Sequence, residues 1–167
     1  GACTIMLLFT YHTISEFNAT ANTWKSSDIS LIQEVKTQIQ KDDYLILYGL
    51  TNSNVNYYAR QLEINNEKIY FPSVMEPNRD SLGPILQIGS DKEKLDEYLS
   101  DLKNILSKID RGRFFVFLTN DNISDSVISF LDQNLTRERE IIPEQPHMPT
   151  WIDRVIIYKN SHQLTGI

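Results

Sequence analysis

The stretch from Asp91 to Thr119 reads DKEKLDEYLSDLKNILSKIDRGRFFVFLT and contains both kinds of element from which the fold is predicted. Its first part, from Asp91 to Ile109, places apolar side chains at helical spacing along one face. These side chains are Leu95, Tyr98, Leu99, Leu102, Ile105, Leu106 and Ile109. Its last part, from Arg113 to Thr119, has a continuous apolar run from Phe114 to Leu118, which is typical of a strand covered on both faces. An amphipathic helix followed by a buried strand is therefore the expected local unit.

The same alternation continues on both sides of this unit. The other predicted strands are Thr4 to Thr10, Tyr44 to Gly49, Lys68 to Phe71 and Arg154 to Tyr158, with Ile85 to Ile88 a weaker sixth. The other predicted helices run from about Asp28 to Gln40, from Asn54 to Leu62 and from Ser124 to Leu135. Strands that alternate with helices favour parallel pairing through crossovers. The sequence thus predicts an α/β fold with a doubly wound, mainly parallel sheet of about five strands and helices on both faces, Rossmann-like or flavodoxin-like.

The segment from Thr136 to Thr150 interrupts this alternation, because it is charged at first and then rich in proline. We interpret it as an extended surface connection. No linker or repeat divides the chain, and its 167 residues fit one domain spanning 1–167. Because the chain begins with Gly1-Ala2 and not with Met, that domain is also consistent with excision from a longer protein.

Charge and hydropathy exclude several classes of partner. The 16 Lys and Arg residues are scattered and are outnumbered by 22 Asp and Glu, which argues against a nucleic-acid partner. The longest apolar run, Ile5 to Phe9, is far shorter than the roughly 20 residues of a membrane-spanning helix, so we expect a soluble chain with no membrane insertion. There is no readable signal peptide, and the single Cys3 excludes an internal disulfide, so the sequence assigns no compartment.

The familiar motifs of cofactor and metal sites are absent. No glycine lies between Ala2 and Gly49, so the first predicted strand lacks the cradle used by nucleotide-binding loops. There is also no serine-hydrolase elbow and no paired Cys or His spacing for zinc. The stretch Asn120 to Asp125 has some features of a calcium loop but lacks its glycine and its final glutamate. The sequence therefore predicts no metal and names no cofactor.

Polar side chains follow three of the predicted strands, where ligands bind in open α/β sheets. The candidate ligand-binding residues are Thr10, Thr13, Asn52, Asn54, Asn120 and Asp121. His12, directly after the first predicted strand, is the candidate catalytic base because imidazole exchanges protons near neutral pH. The competing interpretation is that His12 is structural and that the Asn and Asp residues cap helices.

Two functions follow from these patterns. The first is binding of a polar, sugar-containing ligand at the carboxyl ends of the strands, as a group-transfer enzyme or one half of one. It predicts a concave pocket lined by His12 and Asn52 or Asn120. The alternative is a non-catalytic protein-interaction or sensor domain of a larger protein, which contacts a protein partner through Thr136 to Trp151 and through Tyr57 and Tyr58. It predicts a flat apolar patch instead.

Overall fold

The computed structural model describes residues 28–49, 51–72, 92–143 and 152–160, which form four helices and five strands. In chain order the elements are α1 (residues 28–38), β1 (Tyr44–Tyr48), α2 (Thr51–Gln61), β2 (Glu67–Phe71), α3 (Lys92–Leu106), β3 (Arg113–Leu118), α4 (Asn122–Asn134), β4 (Leu135–Ile141) and β5 (Arg154–Asn160). None of the helices in these ranges is long and apolar enough to cross a membrane. The predicted strands Thr4 to Thr10 and Ile85 to Ile88 lie outside the described residues.

The five strands form one mixed sheet in the order β2-β1-β3-β5-β4. β1 pairs in parallel with both β2 and β3, whereas β5 pairs antiparallel with both β3 and β4. The prediction of a doubly wound, mainly parallel sheet is therefore wrong, since two of the four pairs are antiparallel. The physical reason is that β5 follows β4 in the chain and pairs with it directly. Two consecutive antiparallel strands need no helical crossover between them.

β4 is the strand that the sequence did not reveal. Its residues Thr136 to Glu140 were expected to begin a surface connection, but they pair with β5 along the outer side of the sheet. Thr136 to Arg139 are exposed, while Leu135 and Ile141 at the two ends are buried. Charged side chains on an edge strand discourage pairing with other chains, which explains a strand without an apolar face.

Within the described ranges, each face of the sheet packs against two helices and has its own apolar core. One face packs against α1 and α2, and the other against α3 and α4. Alternation along β1 shows the division, because Leu45 and Leu47 point to the first core and Ile46 and Tyr48 to the second. β3 lies at the centre of the strand order and is buried on both faces from Phe114 to Leu118.

Candidate ligand-binding site

The carboxyl ends of β1, β2 and β3 lie at one edge of the sheet, because these strands run parallel. α2 begins at Thr51, shortly after β1, and α4 begins at Asn122, shortly after β3. β5 starts at the same edge, since Asp153 just before it donates its backbone N–H to the Leu118 carbonyl over 2.9 Å. The structure thus brings together the ends of the elements that carry Asn52, Asn54, Asn120 and Asp121.

A tight turn leads from β1 into α2. Gly49 has a φ of 53°, in the left-handed region that glycine adopts without a steric penalty. Its backbone N–H donates to the Phe71 carbonyl at the end of β2 over 3.0 Å. The Thr51 hydroxyl donates to the Tyr48 carbonyl over 2.8 Å. These bonds fix the first turn of α2, and with it Asn52 and Asn54, against the ends of two strands.

Asp28 and Asn54 form the central contact of the site. The Asn54 side-chain amide donates to Asp28 Oδ2 over 3.0 Å and joins the start of the described part of α1 to the first turn of α2. Asp28 is only 3% exposed, and its other oxygen, Oδ1, is buried without a hydrogen-bond partner. A buried acceptor that makes no hydrogen bond costs free energy, so it is normally satisfied in native proteins.

The environment of Asp28 disfavours its charged form. Burial raises the pKa of this carboxyl group above its ordinary value, while the hydrogen bonds from Asn54 and the backbone of Ile152 act in the opposite direction. A carboxyl group whose pKa is shifted by burial, and which lies among polar neighbours, is a candidate for a functional role.

Two tyrosines extend this group of residues along α2. Asn54, Tyr57 and Tyr58 are spaced i, i+3 and i+4, which places them on one face of the helix. Tyr58 packs against the core, whereas Tyr57 is 59% exposed and meets Tyr58 edge to face with 5.1 Å between the ring centroids. Burial and the nearby Asp28 carboxyl group raise the pKa of Tyr58. We call Asp28, Asn54, Tyr57 and Tyr58 the Asp28 cluster.

A second polar group lies on the other face of the sheet, at the end of β3. Asp121 Oδ1 accepts from the backbone N–H of Ser124 over 2.6 Å and from the Tyr48 hydroxyl over 3.4 Å. Asp121 Oδ2 accepts from the Thr119 hydroxyl over 2.5 Å. Asp121 is thus the N-cap of α4, and both of its oxygens are engaged. Burial, followed by the charge of Asp121, raises the pKa of Tyr48.

The structure separates the predicted site residues into different environments. Asn52 is 1% exposed, Asn54 is half-buried, and Asn120 is exposed. Asp121 caps α4, which is the structural role that the competing interpretation gives it. Thr10, His12 and Thr13 lie outside the described residues, so the predicted roles of all three stay predictions.

Asp28 is the site residue that sequence reasoning missed. It was assigned only as the start of a helix, the position where Asp most often serves as a cap. Its burial and its contact with Asn54 depend on how α1 and α2 pack, which no local pattern reveals. An acidic residue next to the apolar positions Ile29 and Ile32 was the one available signal.

Two open grooves lie at the opposite edge of the sheet in the described part of the chain. One encloses about 400 Å³ and the other about 410 Å³. The first is lined by Lys103, Leu106, Ser107, Asp110, Asn134, Leu135 and Asn160, and the second by Lys41, Asp42, Asp43, Tyr44, Glu67 and Arg111. Both carry charges of each sign, and neither contains a residue that the sequence nominated.

The described residues contain no group of three or more His, Cys, Asp or Glu side chains placed to hold a metal ion. The chain matches no protein-family model, and comparisons with curated proteins and with solved structures find no similar protein.

Proposed function

We propose that this domain binds a small polar, sugar-containing ligand at the carboxyl ends of β1 and β3. The observation that carries the proposal is the buried Asp28 oxygen that accepts no hydrogen bond beside the Asn54 amide. A ligand that donates to this oxygen would recover the free energy lost by its burial. Group transfer, with His12 as the base, is the enzymatic form of the same proposal.

The composition of the site favours a hydroxyl-bearing ligand. Asn54 offers an amide and Asp28 a carboxyl group beside it, and Asn120 follows β3 at the same end of the sheet. Such groups pair with the hydroxyls of sugars and ribose, and a few of them suffice to orient a small ligand. The chain also lacks the glycine-rich loop that would cradle a phosphate, so recognition would not rest on a phosphate group.

The interaction-domain alternative has less support from the described residues. Only Tyr57 and Ile142 are large apolar residues with high exposure there, at 59% and 58%, and they belong to different parts of the fold. Scattered apolar residues of this kind are normal on a protein surface. Tyr58 packs against the core, and Thr136 to Ile141 forms an edge strand and not a free segment.

A thermal-shift screen tests the proposal, because a ligand that binds the native state raises the midpoint of unfolding. The panel contains neutral monosaccharides, amino sugars, nucleosides and nucleotide sugars. We expect at least one sugar-containing compound to stabilise the wild-type chain, and Asn54→Ala to abolish that stabilisation.

Asn104→Ala, an exposed amide on α3, is the matched control and should respond as the wild type does. If no compound of the panel stabilises the wild-type chain, or if Asn54→Ala and Asn104→Ala respond alike, the proposal is overturned. His12→Ala then separates binding from catalysis. If the variant is still stabilised by the compound but no longer turns it over, His12 is a catalytic base.

A further inference from the structure

The charge of Asp28 is not balanced by any cation in the described part of the chain. The ion pairs there involve Asp43, Asp132, Asp153, Glu34, Glu138 and Glu140, but not Asp28. Its neighbours are the neutral groups of Asn54, Tyr58 and the Ile152 backbone. Buried carboxylates are usually paired with a cation, because desolvation of an isolated charge is costly.

We infer that the ligand of this site carries a protonated primary amine, which donates to Asp28 Oδ1 and lies near the Tyr57 ring. This inference rests on the proposed function and narrows its ligand to an amine-bearing sugar or a similar small amine. An ammonium group supplies three donors and one positive charge. It would satisfy the unpartnered oxygen and neutralise the carboxylate in one contact.

Tyr57 is a second residue of the Asp28 cluster that favours a cation. It lies one turn along α2 from Asn54, on the same face, and more than half of its surface is accessible. A tyrosine ring attracts cations through its electron-rich face, which strengthens binding by about 2–5-fold at exposed sites. The Asp28 cluster therefore combines a carboxyl oxygen that accepts no hydrogen bond with an exposed aromatic ring suited to a positive charge.

Two other partners fit the Asp28 cluster less well. A neutral hydroxyl would satisfy the hydrogen bond of Oδ1 but would leave the negative charge without a counter-ion. A divalent metal ion requires several oxygen ligands, and the described residues offer no group of three acidic or His side chains. The net charge of -6 also favours the approach of a cation over that of an anion.

Isothermal titration calorimetry on the full chain tests the inference with glucosamine, N-acetylglucosamine, glucose and ethanolamine, at a pH where the amines are protonated. We expect glucosamine to bind at least about 30-fold more tightly than N-acetylglucosamine, since losing one member of a desolvated charge pair typically costs 2–5 kcal/mol. Asp28→Asn should abolish this preference. Tyr57→Ala should weaken glucosamine binding by about 2–5-fold.

Asp125→Asn, an exposed carboxyl group on α4, is the matched control and should leave the preference intact. Equal affinity for glucosamine, glucose and N-acetylglucosamine would overturn the amine inference while leaving the proposed function standing. If ethanolamine binds in a way that depends on Asp28 and no sugar binds, the amine inference is supported and a sugar-containing ligand is excluded. If none of the four probes binds, the amine inference fails, whereas the proposed function is decided by the wider thermal-shift panel. Tyr57→Ala changes only an exposed residue, so it keeps the test valid if Asp28→Asn does not fold.

Discussion

Arg113 donates from Nη2 to Asp43 Oδ2 over 2.7 Å and from its backbone N–H to Asp43 Oδ1 over 2.8 Å. The backbone N–H of Gln40 also donates to Oδ2, over 2.7 Å, and the Arg113 guanidinium reaches the Gln38 carbonyl over 2.6 Å. This ion pair ties the connection between α1 and β1 to the first residue of β3. Because Asp43 is only 3% exposed, it would be left as a buried charge without its arginine.

Arg113→Ala should therefore destabilise the fold strongly. Breaking a buried ion pair by removing one partner typically costs 3–5 kcal/mol, and we expect about 3 kcal/mol because Arg113 is partly exposed. Urea unfolding measures the effect. Arg139→Ala removes an exposed pair with Glu34 and serves as the control, with an expected loss below about 1 kcal/mol. Equal losses for the two variants would show that the Asp43 pair has no special role.

Gly112 should tolerate no side chain. Its φ is 89°, and a Cβ atom there would lie 1.9 Å from the Asp42 carbonyl oxygen. Gly112→Ala forces the turn before β3 to move, so we expect a lower melting temperature and a free energy of unfolding reduced by more than about 1 kcal/mol. Glu63→Gly is the opposite substitution at a second position with positive φ. Glu63 has a φ of 57° without being glycine, so this variant should be neutral or stabilised by up to about 1 kcal/mol. A stable Gly112→Ala variant would contradict this account of the turn.

Asp28 should make stability depend on pH in an unusual direction for a carboxylate. Its folded-state pKa is raised above the ordinary value of 3.8, so the native state binds more protons than the unfolded state above that pH. Asp28 therefore contributes its full stabilisation to the free energy of unfolding at about pH 4 and below. This stabilisation is lost as the pH rises through the raised pKa.

Asp28→Asn removes this titration. Relative to the wild type, the variant should gain stability between about pH 4 and neutral pH, as measured by urea unfolding across that range. Asp125→Asn, whose carboxyl group is exposed, should show no such trend. If the advantage of Asp28→Asn shrank as the pH rose, Asp28 would have to be a stabilising carboxylate instead.

Asp121 should prove structural. Asp121→Ala removes the N-cap bond to the Ser124 amide and the bond from Thr119, so we expect a loss of about 1–2 kcal/mol. Asn120→Ala, next to it and exposed, should change stability by less than about 0.5 kcal/mol. Chemical denaturation of both variants distinguishes the two positions, and equal effects would argue against the capping role.

The apolar strands were predictable because burial on both faces leaves a continuous run in the sequence. β1 and β3 show this most clearly, and the helix over Lys92–Leu106 lies within the predicted range from Asp91 to Ile109. β4 was not predictable in the same way, since its exposed residues Thr136 to Arg139 need no apolar pattern at the edge of a sheet. The direction of β5 was also hidden, because an apolar run contains no information about which way its strand points.

The candidate site was predictable only in part, for a related reason. Asn52 and Asn54 could be nominated because they follow an apolar strand, and the structure places them at its carboxyl end. Asp28 could not be nominated, because its significance depends on the amide that α2 brings to it across the fold. Local patterns identify the ends of elements, whereas the partner of a buried polar group depends on tertiary packing.

The position of β5 between β3 and β4 also affects the order in which the sheet can assemble during translation. β3 and β4 leave the ribosome first, but each must wait for Arg154–Asn160 before its facing edge finds a partner. A nascent chain that stops at Ile141 would expose the apolar edge of β3, where chaperones and other unfolded chains can bind. β4 joins the sheet only through β5, so its charged residues cannot border the sheet until β5 has been made.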